Sequence, residues 1–297
     1  MGTEVAHHVR ALLAAYDSNA PGLAADKLRQ LWLQFEPKSV AGIKAEQREQ
    51  QETVGIPIPV LKLIGQEVAK VARRRVADLI PLTRLLWDRY GREGRVVALI
   101  ALGAMERAEP DTIVPLLMEL CRTCVTWEDC DRLAMDALEP VVRKNPQEWL
   151  GTMEPWLVDE NRWVRRAGVT VVARLPMKHP AYTARCLEMI EPLLAEEDTD
   201  VKKALSFAIR LAARGEAAPV REFLRAHVPP QNPAATWVLC DAIRSMTNKF
   251  LPEFRSLLPL YEDWAADPTL SAKDRRSVES AIEVLRGSSR TAASGTG

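Results

Sequence analysis

From residue 76 to residue 214 apolar side chains recur at three-and-four spacing, in blocks that end at glycine or proline. This spacing puts the apolar groups on one face of an α-helix. Helices are expected near 76–90, 93–106, 110–124, 127–143, 147–157, 161–175, 180–195 and 199–214. The breaks fall at Gly91, Pro110, Asn145-Pro146, Pro176 with Pro180, and Gly215, where these residue types interrupt helices. No segment alternates apolar and polar residues as a half-buried strand would. Successive helices begin roughly 16 to 20 residues apart, so a two-helix unit recurs about every 35 to 40, close to the period of HEAT-type repeats. An all-α chain follows, folded as a curved α-solenoid of HEAT-like repeats, with an irregular bundle as the plainer alternative. A solenoid offers a concave face on which long polymers bind.

The flanks extend the pattern. Helices are expected at Ala6 to Tyr16, at Leu23 to Phe35, and from Pro59 to about Arg74, with Pro59 suited to a first helical turn. Between them, residues 36–53 form a polar insertion rich in Lys, Glu and Gln, a loop or loosely solvated helix. Further helices are expected near 218–227, 234–249, 251–266 and 271–286, and the tail at 287–297 reads as disordered. Residues 1–286 are taken as one repeat domain with its core at 54–214.

Charge narrows the possible partners. Forty basic and forty acidic residues give zero formal net charge, which argues against coating nucleic acid by bulk charge but leaves room for a basic cleft. Ten basic residues face six acidic ones between Asn161 and Arg214, and four of the acids crowd into 196–200. A second basic cluster runs from Arg73-Arg74-Arg75 to Arg84, Arg89, Arg92 and Arg95, around Trp87. Either cluster is a phosphate-binding track or a solvated helical surface. Five cysteines without framework spacing point to reduced thiols, and no apolar run is long enough for a membrane span, so a cytoplasmic protein of the bacterial cytosol or nucleoid is expected.

Chemistry concentrates at Thr126-Trp127-Glu128-Asp129-Cys130-Asp131. Trp127 and Asp131 are four residues apart, one helical turn above the other. Downstream, Arg165 and Arg166 lie in Asn161-Arg162-Trp163-Val164-Arg165-Arg166. Lys203, Phe207 and Arg210 fall at i, i+4 and i+7 of the next repeat, beside Lys202. One carboxylate, aromatic rings and several cations on successive helices suit a cleft that grips DNA and stabilises positive charge. Cys121 and Cys124 with Cys130 nearby invite zinc, but no second pair follows and buried thiols are the better reading. No metal or other cofactor is expected. Trp32, Trp149, Trp156, Trp237 and Trp264 are assigned to the core or to packing between repeats, and Trp163 to packing that orients Arg166.

These segments resemble the AlkD-like DNA alkylation repair family, whose HEAT-like repeats form a C-shaped DNA glycosylase. The likeness covers roughly Val54 to Arg214. It includes Val54-Gly55-Ile56, similar to the family's Gly-Ile-x-x-Pro entry, and Leu86-Trp87-Asp88, similar to its Leu-Trp segment. The resemblance implies that Trp127 and Asp131 are the catalytic tryptophan and aspartate and Arg166 a DNA-contacting arginine. Phe207 stands where well-known members carry a second tryptophan and is implied as the third catalytic residue, framing the sugar with Trp127. It keeps an aromatic face but loses area and the stronger indole attraction for cations. Lys203, Arg210, Arg165 and Lys202 are the further DNA-binding candidates.

The implied reaction fits one carboxylate. Most glycosidases pair a second carboxyl group with an acid that protonates the leaving group. An N3- or N7-alkylated purine already carries positive charge, so its departure needs no proton, and the resemblance implies no flipping of the base into a pocket. The expectation is a monofunctional alkylpurine DNA glycosylase acting as a monomer on double-stranded DNA, without a membrane. A non-catalytic DNA-binding solenoid and a protein–protein scaffold are the rivals.

Overall fold

A computed structural model describes residues 2–35 and 51–287. The polar insertion expected at 36–53 lies outside the described residues up to position 50, as does the tail after Gly287. Among the described residues every regular element is helical, as the periodicity predicts. No helix there is long and apolar enough to cross a membrane. The chain divides into two compact units, Met1–Asn145 and Pro146–Gly297, at the Asn145-Pro146 break.

In the first unit α1 (Gly2–Ala14), α2 (Pro21–Trp32), α3 (Ile58–Ala72), α4 (Val76–Arg89), α5 (Gly91–Glu106), α6 (Pro110–Cys121) and α7 (Trp127–Arg132) follow in order. Contacts join α1 to α3, α3 to α5 and α5 to α7, while α2 packs on α4. Alternate helices therefore stack, the pattern of αα-repeats. α5 is the most enclosed, with Val97, Ala101, Leu102 and Met105 wholly buried among other apolar groups, as expected of a helix apolar nearly all round.

The second unit repeats this scheme. Short helices α8 (Glu139–Lys144), which closes the first unit, and α9 (Pro146–Trp149) and α10 (Glu154–Leu157) lead into α11 (Arg162–Arg174). α12 (Thr183–Ile190), α13 (Thr199–Ala212), α14 (Ala217–His227), α15 (Ala235–Arg244), α16 (Leu258–Ala265) and α17 (Ala272–Leu285) complete it. α11, α13, α15 and α17 stack in sequence, and α12 packs on α14.

Polar rungs set the register within each stack. Arg84–Glu119, Arg92–Glu128, Ser206–Asp241 and Arg210–Ser245 join residues 35, 36, 35 and 35 apart. A near-constant offset means that stacked helices run parallel and in step.

Two local features hold α5 and α7 in place. The buried Glu93 carboxylate accepts backbone N–H groups of Val54, Gly55 and Ile56 at 3.2, 2.9 and 3.2 Å, fixing the entry segment against the start of α5. After α7 the chain widens into a π-helical turn, Leu133–Leu138, before α8. Pro140 has no N–H to return to the Asp136 carbonyl. Gly103 of α5 meets that carbonyl so closely that a Cβ there would lie 2.4 Å from its oxygen. A bulge opposite a residue without a side chain is how these two helices approach.

Candidate functional site

α7 begins at an N-cap. Thr126 is buried, and its hydroxyl accepts the Asp129 N–H at 3.2 Å, which starts the helix at Trp127. Trp127 at the first helical position is 42% exposed. Asp131, one turn later on the same side, is half-buried. Between them, Glu128 and Asp129 face α5. Arg92 donates to both Glu128 oxygens at 3.0 and 2.9 Å, and Arg132 adds a bond at 3.0 Å. Burial pushes the Glu128 carboxyl up, but the two guanidiniums outweigh it and hold it below the usual carboxylate range. Asp129 is buried and receives Arg95 at 2.6 Å, whose guanidinium also lies over the Trp87 ring at 4.6 Å. The structure thus brings Trp127 and Asp131 together on a helix clamped from below by two arginines.

That clamp settles much of the first basic cluster. Arg92 and Arg95 serve α7, Arg84 forms a two-bonded pair with Glu119, and Arg75 pairs with Asp78. Trp87 is wholly buried, its indole N–H donating to Thr123 at 2.7 Å. Arg73, Arg74 and Arg89 remain on the exposed surface.

The other candidates belong to the second unit. Asn161 caps α11 by accepting the N–H groups of Trp163 and Val164. Trp163 is buried as expected, and the Arg162 guanidinium lies over its ring at 4.5 Å. Arg165 is held by Glu196 at 2.6 Å and by the carbonyls of Asp159 and Glu160. Arg166 is 8% exposed and donates to the Asp200 carbonyl. The acids at 196–200 therefore take up cations of the preceding helix as well as capping α13 through Asp198.

On α13 the expected face is present. Lys203 is exposed, with its ammonium 3.7 Å from Asp200, and Lys202 is half-buried. Phe207 is half-buried and Arg210 stacks over its ring at 5.1 Å while reaching the Ser245 carbonyl at 3.4 Å. Phe207, Arg210 and Arg214 share a hollow of about 230 Å³ with Ser245, Met246 and Thr247. An aromatic surface lined by guanidiniums suits an anionic polymer with apolar sugar and base edges.

Two expectations are refined. The thiols of Cys121, Cys124 and Cys130 are free and buried. Burial, reinforced by the two neighbouring thiols, holds Cys121 well above the ordinary thiol range, so it carries no thiolate at neutral pH. Trp32, Trp149, Trp156 and Trp264 are core, but Trp237 is only half-buried, on a face of α15 shared with Asp241. Its signal in the sequence was the recurrence of Thr-Trp-x-x-Cys-Asp at 126–131 and 236–241.

Stacked helical repeats bearing an open Trp–Asp helix in one unit and a cation-lined aromatic face in the other define a helical-repeat protein suited to a charged polymer. A model of the family described as DNA alkylation repair enzyme matches residues 28–246, and the chain belongs to that family. DNA repair is accordingly its role and DNA its partner. No curated protein matches the chain. Among solved structures, an engineered protein is similar at 12% identity, covering 82% of this chain and 100% of its own, with a TM-score of 0.32. A designed armadillo repeat protein solved with a (KR)4 peptide is similar at 16% identity over 77% of this chain and 91% of its own, with a TM-score of 0.33. Likeness of that extent says nothing about ligand.

Proposed function

We propose that the protein is a monofunctional DNA glycosylase that releases cationic N3- or N7-alkylated purines from duplex DNA. The observation that carries the reading is the α7 arrangement: Trp127 exposed, Asp131 one turn beyond it, and the two intervening acids committed to Arg92, Arg132 and Arg95. Asp131 is the acid of α7 that lies one turn from Trp127 on the same side of the helix.

In the proposed reaction the bond between C1′ and the purine nitrogen breaks, and its electron pair neutralises the charge already on the ring. The sugar becomes oxocarbenium-like. Asp131 stabilises that charge and accepts a proton from the water whose oxygen bonds to C1′. The Trp127 face favours the same charge. Products are a neutral alkylpurine and an abasic site. Phe207, Lys203, Lys202 and Arg210 support the grip on DNA, with Arg166 and Arg165 behind them. No lysine in the reading serves as a Schiff-base nucleophile, so strand cleavage is not expected.

The test is release of base from a duplex containing one 7-methylguanine. Release by the wild type that disappears in Asp131→Asn while binding persists supports the reading. Tight, salt-sensitive binding with no release of 7-methylguanine or of a bulkier N7 adduct would replace it with a passive DNA binder.

A further inference from the structure

The six-residue pattern Thr-Trp-x-x-Cys-Asp occurs twice, as Thr126–Asp131 and Thr236–Asp241. Thr126 caps α7 whereas Thr236 lies inside α15, yet the same positions are buried in both copies. Thr126 and Thr236 are buried, as are Cys130 and Cys240, while Trp and Asp reach the surface in each. The chain has eight tryptophans, and six are in the core; the two that reach solvent are the two in this pattern. A large apolar ring is left open twice at the same place in a repeated motif, so its exposure is a property of the motif, not of one loose surface position.

The surroundings of the second copy differ in a way that assigns its role. Asp241 has partners on both carboxylate oxygens: Ser206 of α13 donates to Oδ2 at 2.6 Å, and Arg244 to Oδ1 at 3.1 Å. A carboxylate so occupied positions its neighbours and does not take a proton from water. It ties α15 to the helix carrying Phe207 and holds the half-buried Arg244 guanidinium at the end of α15. Arg210 crosses from the Phe207 ring to the Ser245 carbonyl on the same helix, so the two faces are continuous. Further along, Lys249 lies 5.5 Å above the Phe250 ring.

From this we infer that Trp237 is a DNA-contacting residue. Its ring stacks against a sugar or base edge of the bound strand, with Arg244, held by Asp241, placed for a flanking phosphate. Alternating rings and cations on one face is the construction that tracks a nucleic-acid strand through stacking and charge together. The inference takes its ligand, duplex DNA, from the function proposed above, and it assigns to α15 a binding role without a catalytic one.

The experiment compares Trp237→Phe, which keeps an aromatic face, with Trp237→Leu, which keeps apolar bulk. Fluorescence anisotropy with a labelled duplex containing 7-methylguanine reads binding, circular dichroism melting reads folding, and single-turnover base release is followed at saturating duplex. Trp237→Leu should weaken binding about tenfold, the scale of one lost base–aromatic stack. Trp237→Phe should stay within about threefold of wild type, a loss smaller than one full stack. Base release at saturation should be retained in both. Equal loss in the two variants would make Trp237 a packing residue and overturn the inference, as would wild-type affinity in Trp237→Leu. Loss of base release at saturating duplex in Trp237→Leu would place the residue in the chemical step and overturn the assignment of a binding role alone. Failure of the wild type to bind the duplex would instead overturn the proposed function, and the inference with it.

Discussion

Arg95 on α5 donates to the buried Asp129 carboxylate at 2.6 Å, two residues before Asp131. The pair holds the helix that presents the proposed active site, so a residue remote from the substrate sets the position of the one that acts. Arg95→Met leaves Asp129 buried without its cation, a change that costs about 3 kcal/mol or more. Thermal melting should show the lost stability. Base release should fall further than duplex binding, and Asp129→Asn added to Arg95→Met should recover part of the stability.

Gly103 tests the bulge beneath the same helix. An alanine Cβ would lie 2.4 Å from the Asp136 carbonyl oxygen, closer than packed atoms tolerate. The clash should destabilise the protein by about 1 to 3 kcal/mol. Because the π turn directly follows α7, Gly103→Ala should also reduce base release measured below its melting temperature. Unchanged melting and activity would show that α5 and the bulge can separate freely.

Glu106, at the end of α5, gives a pH signature. It is fully buried and neither carboxylate oxygen has a hydrogen-bond partner. Burial pushes its carboxyl up to about 8, against the pull of Arg107 and Lys144. Between the ordinary value near 4.5 and about 8, the folded protein keeps a proton that the unfolded chain releases. This group's contribution therefore declines as pH rises through that window, by up to about 1.4 kcal/mol per pH unit, and levels off above it. Denaturant titrations at pH 5.5 and 7.5 should show the decline in the wild type and a smaller one in Glu106→Gln.

Lys203 is the exposed cation of the α13 face. Lys203→Ala should weaken binding to damaged and undamaged duplex alike and lower the salt slope of log K by about 1. A change confined to damaged duplex would mean that Lys203 reads the lesion and not the backbone.

Helix positions were legible because each depends on local spacing and on the prolines and glycines between blocks. Pro110 opens a helix as expected, while Gly91 and Pro146, expected as breaks, are the first residues of the helices that follow. The Trp127–Asp131 pair and the Lys203–Phe207–Arg210 face were legible for the same reason, since helical geometry alone places them. What local spacing does not carry is the partner one repeat away. Arg92 and Arg95 read equally as a phosphate track or a solvated surface, yet their acids lie 36 and 34 residues on. The π turn needs Gly103 and Pro140 together, and neither position announces the other. The partial exposure of Trp237 is not carried by its own spacing, because a single tryptophan on a helix is usually packed. Comparing its six-residue pattern with that at Trp127 would have moved it to the surface.

The constant register of the rungs has a consequence for how such a chain can change length. Within the second unit the stacking helices begin at Arg162, Thr199, Ala235 and Ala272, at intervals of 36 or 37 residues. An insertion of a few residues inside a stacked helix would turn the side chains that follow it in that helix away from their partners one repeat back. A whole interval added or removed would return each to an equivalent neighbour. Within the stack, descendants of this chain can therefore grow or shorten by complete repeats, while smaller length changes are confined to the turns between helices.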